Sequence, residues 1–326
     1  MTTRPALLLL GLTLLTIISM LLALHSGSVA IEWGQIWSAL TGSSTSTGTS
    51  HEVILQLRLP RAATAFVTGA MLALAGALMQ VLLRNPLADP YILGVSGGAA
   101  VGALTAMLLG AGTAWVSGSS FAGAMLSIAL VFGLARGSGS WTSHRLLLTG
   151  VVIAAGWGAV ISFLLAVSPD QNLRGMLFWL MGDLSHSQSP VTGGILLFIT
   201  LLVCLPLAKS LNLLARGDLQ ATALGISVKP LRLVIYLLAS LLTATAVMQA
   251  GSIGFIGLIV PHMLRLISGS DHRLLLPASA LLGGCLLLMA DTLARTLLAP
   301  IQLPVGVLTA ILGVPVFLYL LRKNAG

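Results

Sequence analysis

The sequence predicts an all-α polytopic membrane protein, and three observations lead to this fold class. Of the 326 residues 57% are apolar and only 7% are charged, against about 25% charged in soluble domains, and the mean hydropathy is +1.03. Sixteen Lys and Arg with eight Asp and Glu cannot cover a globule of this size, which excludes a soluble enzyme and a disordered chain. The 36 glycines agree, because membrane helices contain more glycine than soluble ones.

Ten apolar runs are predicted to cross the membrane as helices. A hydrocarbon core of about 30 Å requires about 20 apolar residues per helix. The runs cover roughly residues 6–24, 62–83, 92–111, 114–135, 146–168, 191–208, 231–250, 253–267, 274–298 and 303–321. The first run resembles a signal peptide, but its 19 residues exceed the core of about 7–15 in a cleavable signal, so we expect a retained helix. The eighth run is short for a full span.

The basic residues predict that both termini are cytoplasmic. An even number of spans puts both ends on one side, and the positive-inside rule chooses that side. A cytoplasmic N-terminus leaves four basic residues outside, namely Arg58, Arg61, Arg174 and Arg295. The other twelve then lie inside, namely Arg4, Arg84, Arg136, Arg145, Lys209, Arg216, Lys229, Arg232, Arg265, Arg273, Arg322 and Lys323. Because these residues are scattered singly, the net charge of +8 does not indicate a nucleic-acid partner.

Residues 1–326 are predicted to form one transmembrane domain with three distinctive loops. Residues 41–51 form a polar outer loop, and residues 169–190 form an outer loop that contains a short apolar helix. Aromatic residues in that helix, Phe178 and Trp179, are typical of the membrane interface.

The third loop, residues 209–230, is cytosolic. In it, Asp218 is predicted to cap a helix over Leu219–Leu224, and Gly225 to end that helix in the left-handed conformation. A capped, partly apolar helix outside the membrane fits a groove on a partner protein.

The chain contains no recognisable source of energy and no catalytic constellation. No Lys precedes Ser or Thr in a Gly-rich phosphate loop. Asp291 is the one carboxylate within a predicted span, and it stands four residues before Arg295, which predicts an ion pair near the outer end. The histidines and the two cysteines, Cys204 and Cys285, lack metal-ligand spacing, so no metal and no catalytic residue is predicted.

Several motifs together resemble the FecCD-type permeases, the membrane subunits of type II bacterial ABC importers for cobalamin, haem and iron–siderophore complexes. The matching runs are RLPR (58–61), NPLADPYILGVSGGA (85–99), HRLLLTG (144–150), ARGDLQATALG (215–225), GFIGLIVPHMLR (254–265) and LPVGVLTAILGVPVFLYLL (303–321). The resemblance implies the type II ABC importer permease architecture of ten helices, in the bacterial inner membrane. It further implies a homodimer, two cytosolic ABC ATPase subunits that bind ATP and Mg, and an extracytoplasmic substrate-binding protein.

The resemblance also assigns roles by position. Outer arginines that dock the binding protein correspond to Arg58, Arg61 and Arg295; the alternative is that they snorkel to lipid headgroups. The helix that couples to the ATPase corresponds to Arg216, Gly217, Asp218, Leu219, Ala221, Leu224 and Gly225. The cytosolic gate corresponds to Asn85, Leu87, Thr142 and Ser143.

Three other functions compete with an ATP-driven importer subunit. A self-contained secondary carrier would lose uptake on addition of an uncoupler, and the lack of buried carboxylates disfavours it. A non-transporting anchor subunit would leave uptake unchanged when deleted. A membrane enzyme is disfavoured because paired acid–base or metal-binding residues are missing from the sequence.

Overall fold

The computed structural model describes residues 3–27, 31–42, 49–136, 143–185 and 189–324, and over these ranges the chain is helical, without a strand. The N-terminal half comprises α1 (Thr3–His25), α2 (Trp33–Thr41), α3 (Thr49–Glu52), a π-helical turn (Val53–Arg58), α4 (Leu59–Leu83), a 3-10 turn (Pro90–Leu93), α5 (Val95–Leu108), α6 (Thr113–Arg136) and α7 (Ser143–Val167). The C-terminal half comprises α8 (Asp170–Leu180), α9 (Val191–Cys204), α10 (Ala208–Arg216), α11 (Asp218–Ala223), α12 (Val228–Ala250), α13 (Ile256–Ser268), α14 (His272–Thr296) and α15 (Val305–Asn324).

A helix occupies each of the ten apolar runs. Within the described part of the chain, six helices are long and apolar enough to cross a membrane alone: α1, α4 with the turns before it, α6, α7, α12 and α14. The shorter apolar helices are α5, α13 and α15. The number of crossings and the side of the termini therefore stay predictions that depend on these short helices.

The predicted single span over residues 191–208 is broken. Helices α9 and α10 meet at an angle of 73°. The break spans residues 205–207 and contains Pro206, which has no N–H to continue the helical ladder. Beyond it α10 is amphipathic and buries Ala208, Leu211 and Leu214.

Helix α4 is the centre of the fold and is buried along almost its whole length. It packs closely against α14 because both helices present glycine at the crossing. A Cβ at Gly69 would collide with the carbonyl oxygen of Gly283, and one at Gly283 would collide with the Cβ of Ala73. Small residues let membrane helices approach closely enough for van der Waals contact along their backbones.

Two helices begin inside the fold, each after an irregular segment. Before α5, the carboxylate of Asp89 accepts the N–H of Tyr91 at 2.8 Å, and burial raises the pKa of Asp89 to about 6. Before α13, Phe255 has φ +72°, and the N–H of Ile253 donates to Tyr91 Oη at 3.1 Å. The two irregular segments therefore touch, and each helps to satisfy the polar groups of the other.

Helix α13 contains Pro261, and a side chain from α4 compensates for the proline. Pro261 has no N–H to donate to the carbonyl of Gly257, four residues earlier. Gln80 is buried, and its Nε2 lies 3.4 Å from that carbonyl oxygen and 3.2 Å from the carbonyl oxygen of Leu258. Its Oε1 accepts a hydrogen bond from Arg265. The side-chain amide of Gln80 thus connects α4 to α13 both before and after Pro261.

This geometry predicts that Gln80 and Pro261 are energetically coupled. Gln80→Met removes the hydrogen bonds to the carbonyls of Gly257 and Leu258 together with the one from Arg265, and it should cost about 1–3 kcal/mol because these groups lose a partner at a largely buried site. Pro261→Ala restores the N–H that the Gly257 carbonyl lacks, so Gln80→Met should cost less in that background. The measurement is the thermal midpoint of the detergent-purified protein for both single variants and the double variant. Additive losses would show that Gln80 does not compensate for the proline.

Candidate functional site

Two of the three predicted docking arginines, Arg61 and Arg295, converge on one buried carboxylate. Asp291 is fully buried, and Arg61 Nη2 lies 2.8 Å from its Oδ1 while Arg295 Nε lies 3.1 Å from its Oδ2. The predicted i,i+4 pair of Asp291 and Arg295 is confirmed. The second partner was missed, because Arg61 is 230 residues away in sequence. Removal of Asp291 would leave both arginines without their shared carboxylate at a largely buried site.

Arg58 has a different set of contacts. It is 5% exposed, and its Nη1 donates to the carbonyl oxygens of Leu24 at 2.6 Å and His25 at 2.9 Å. These carbonyls belong to the last turn of α1 and have no partner within the helix. Gly27 lies against the guanidinium, where any side chain would clash. Arg58 therefore caps α1.

The three arginines line a common cavity of about 390 Å³. Gln56 and Gln302 also line it, and Gln302 Oε1 accepts a hydrogen bond from Arg61 at 2.9 Å. The cluster combines three guanidinium groups with one carboxylate, so the cavity carries an excess of positive charge and attracts anions. The arginine side chains are reached through this cavity and do not project from the surface.

The predicted coupling helix is present as α11, but one detail of the prediction was wrong. Asp218 does not cap it: Asp218 is the first residue of α11, and its Oδ1 accepts a hydrogen bond from Arg232 Nη2 at 2.9 Å. Arg84 Nη1, at the end of α4, lies 3.9 Å from the same oxygen. The buried Arg232 competes successfully for the carboxylate, because a charged donor is stronger than a backbone amide.

The predicted end of the coupling helix is confirmed. Gly225 has φ +81°, a conformation that residues with a Cβ rarely adopt. Its N–H donates to the carbonyl of Thr222 at 3.0 Å, and the N–H of Ile226 donates to the carbonyl of Ala221 at 2.9 Å. These two bonds form the Schellman arrangement.

The coupling residues divide into a buried and an exposed set. Ala221 is buried, whereas Leu219 is 88% and Leu224 64% exposed, and Arg216 is also exposed. The two leucines form a small exposed apolar surface at a helix whose end is fixed by Gly225.

Helix α10, which leads into this loop, is tied to the start of α14. Asn212 Nδ2 donates to Asp271 Oδ1 at 2.9 Å, and Asn212 Oδ1 accepts the N–H of His272 at 2.9 Å. The hydrogen bond from Asn212, helped by the N–H of Arg273, lowers the pKa of Asp271. No sequence pattern indicates this contact, since Asn212 is one of several polar residues in an amphipathic helix.

The predicted gate is only partly within the described residues. Asn85 Oδ1 accepts the N–H of Leu87 at 2.9 Å in a tight turn, and Leu87 is 39% exposed. Ser143 is the first residue of α7, and Thr142 lies outside the described residues. In the parts of the chain that the structure covers, no cluster of three His, Cys, Asp or Glu could hold a metal ion.

Comparisons with known proteins cover nearly the whole chain. The model of the FecCD transport family matches residues 15–323. The hemin transport system permease protein HmuU of Yersinia pestis is 42% identical over 98% of this chain and 97% of its own length. The Fe(3+) dicitrate transport system permease protein FecD of Escherichia coli K12 is 41% identical over 93% of this chain and 94% of its own.

A solved structure has the same fold. It is a transporter assigned to the metal-chelate type of ABC transporter, in an inward-facing conformation, and it superposes with a TM-score of 0.85. The sequences are 35% identical, and the match covers 97% of this chain and 98% of that chain. The likeness therefore extends over the full set of helices.

Proposed function

Because this chain belongs to the FecCD transport family, we propose that it is the membrane-spanning permease subunit of an ATP-driven importer of a metal chelate. The single observation that carries this proposal is the match of the family model from residue 15 to residue 323. The similarity to HmuU and FecD supports a chelate such as haem, cobalamin or an iron–siderophore complex as the cargo. The protein is a multi-pass membrane protein, and we place it in the bacterial inner membrane.

The working unit in this proposal contains two copies of the chain, two cytosolic ABC ATPases and an extracytoplasmic binding protein. The permease subunit is not catalytic on its own; ATP and Mg bind to the ATPases. The match to the FecCD transport family and the similarity to HmuU support this division of labour.

The arginine cavity is proposed as the docking site for the binding protein. Arg58, Arg61 and Arg295 keep their structural contacts, and an acidic side chain from each lobe of the binding protein enters the cavity of one permease copy. A partly desolvated cavity strengthens the attraction relative to an open surface, where an ion pair contributes only about 0–1 kcal/mol.

The α11 segment is proposed as the coupling helix. Its exposed Leu219 and Leu224 dock on the ATPase, and Asp218 transmits displacement of the helix to α12 through Arg232 and to α4 through Arg84. Asn85, Leu87, Thr142 and Ser143 are proposed to narrow the cytosolic mouth of the pathway.

The energy source provides the decisive test of the proposed function. We expect proteoliposomes that contain this chain with its ATPase and binding protein to accumulate a chelate only when ATP is supplied to the ATPase side. Haemin, cyanocobalamin and ferric dicitrate are the probes, and accumulation should persist when a protonophore and a sodium ionophore are present. Uptake that continues without ATP and collapses with the ionophores would instead identify a secondary carrier.

Rim substitutions of opposite charge test the docking cavity. Gln56 is exposed, lines the cavity and is separate from the arginine contacts. Gln56→Glu should slow association with the binding protein several-fold at low salt, whereas Gln56→Lys at the same position should accelerate it. Association rates are measured against ionic strength, and basal ATPase activity serves as the control. If both variants associate at the wild-type rate, binding occurs elsewhere.

A charge-exchange cycle tests the coupling contact. Asp218→Lys and Arg232→Glu should each lower the chelate transported per ATP by roughly tenfold, because each leaves an uncompensated charge at the base of α11. The double variant should recover part of that loss. Arg84→Gln should have a smaller effect, since an exposed pair at 3.9 Å is weak. A double variant no better than the single ones would mean that the ion pair does not transmit the displacement.

A further inference from the structure

Helix α2 is a separately capped amphipathic helix at the end of α1. At its start the N–H of Glu32 donates to Gln35 Oε1 at 3.1 Å, and at its end Gly42 has φ +68°. On one side it buries Ile36 and Ala39 against a small cluster that contains Leu24, Ile31 and Ile54. The helix is therefore fixed on the fold by its own small core.

The other apolar side of α2 is exposed in the described part of the chain, apart from the stacking of Trp33 on His25. Trp33 is 51% exposed, Trp37 71% and Leu40 43%. Their spacing of four and three residues places them in one stripe on the helix surface. Two exposed tryptophans in nine residues are unusual for a surface in contact with water alone.

This stripe continues the exposed apolar surface of α1. Ile18 and Leu22 are exposed, and His25 follows one turn later on the same side. The His25 ring stacks on the Trp33 ring, with 4.4 Å between centroids and 9° between planes. Since α1 is long and apolar enough to span a membrane, its exposed side chains face lipid, and the stripe leads from that surface directly onto α2.

We infer that α2 lies in the headgroup region of the bilayer, with Trp33, Trp37 and Leu40 inserted at the boundary with the acyl chains. Tryptophan is enriched at this depth, where its ring is buried and its N–H remains hydrated. The opposite surface carries Gln35, which is exposed, and faces water. The inference requires only that α1 spans the membrane, and it holds for either orientation of the chain.

The proposed anchor, α2, packs close to the cavity that the three arginines line. Ile54, against which α2 packs, belongs to the π-helical turn that ends at Arg58. Arg58 in turn binds the last carbonyls of α1. The anchor therefore packs directly on the turn that supplies Arg58 to the cavity.

Site-directed spin labelling in lipid nanodiscs tests the inference. Cys204→Ala and Cys285→Ala remove the two native thiols, and a nitroxide is then attached to Trp37→Cys or, as the matched control, to Gln35→Cys. In nanodiscs of phosphatidylethanolamine and phosphatidylglycerol at 3:1, the label at position 37 should be relaxed mainly by oxygen. The label at position 35 should be relaxed mainly by the water-soluble nickel chelate, with a several-fold difference in the accessibility ratio.

A second measurement avoids the cysteine background. The fluorescence of Trp37 is obtained as the difference between the emission of the wild type and that of Trp37→Phe. Lipids brominated near the glycerol should quench this fluorescence more strongly than lipids brominated near the chain ends. Equal nickel accessibility at positions 35 and 37 would overturn the inference, because both sides would then face water. Shielding of position 37 from both relaxants would also overturn the inference, because it would show that protein covers this side of α2. Shielding in the permease alone would identify a second copy of the chain, and shielding that appears only after the binding protein is added would identify the binding protein.

Discussion

The fold depends on one constraint: a polar group that is removed from water inside a membrane must find its partner within the protein. The carboxylate of Asp291 lies between two arginines, the last carbonyls of α1 bind Arg58, and the carbonyl left unpaired by Pro261 lies within hydrogen-bond distance of Gln80. Except for the pair of Asp291 with Arg295 within α14, each of these contacts joins separate helical segments of the chain. The need to pair polar groups therefore specifies how the helices assemble. Apolar side chains contribute less to this specificity, because they can pack against lipid as well as against neighbouring helices.

Local features of the fold could be predicted from sequence, and long-range ones could not. The helices of the ten apolar runs, the pair of Asp291 with Arg295 and the left-handed Gly225 all depend on residues within a few positions of one another. The contact of Arg61 with Asp291 and the contact of Asn212 with His272 depend on tertiary packing that no spacing reveals. The two errors over residues 191–230 have different origins, one local and one tertiary. Pro206 breaks a run that is apolar throughout, and Asp218 prefers a charged partner from α12 to the backbone amides of its own helix.

The three predicted docking arginines are neighbours in the structure, but their surroundings could not be predicted from the sequence. Three arginines on the side poor in basic residues indicated an outer binding surface. The structure brings them together at one cavity and also gives each of them a structural contact within the protein. Each arginine therefore has both a structural contact and a place in the proposed docking site. Substitution of any one would change the packing of α1, α4 or α14 as well as the charge of the cavity. Neutral residues at the rim, such as Gln56, separate these two effects.

Helix α4 is one continuous helix that connects the proposed docking cavity to the proposed coupling helix. Its 25 residues span about 37 Å, with Arg61 near one end and Arg84 immediately after the other. The first contacts the carboxylate of α14, and the second approaches the carboxylate of α11. Helix α4 is buried and packs on α14 through glycine contacts, so it has little freedom to bend. A displacement at one end of α4 is therefore expected to move the whole helix. The exposed contact of Arg84 with Asp218 is the weakest contact in this connection, so the closer pair of Asp218 with Arg232 carries most of the proposed coupling between α11 and the rest of the fold.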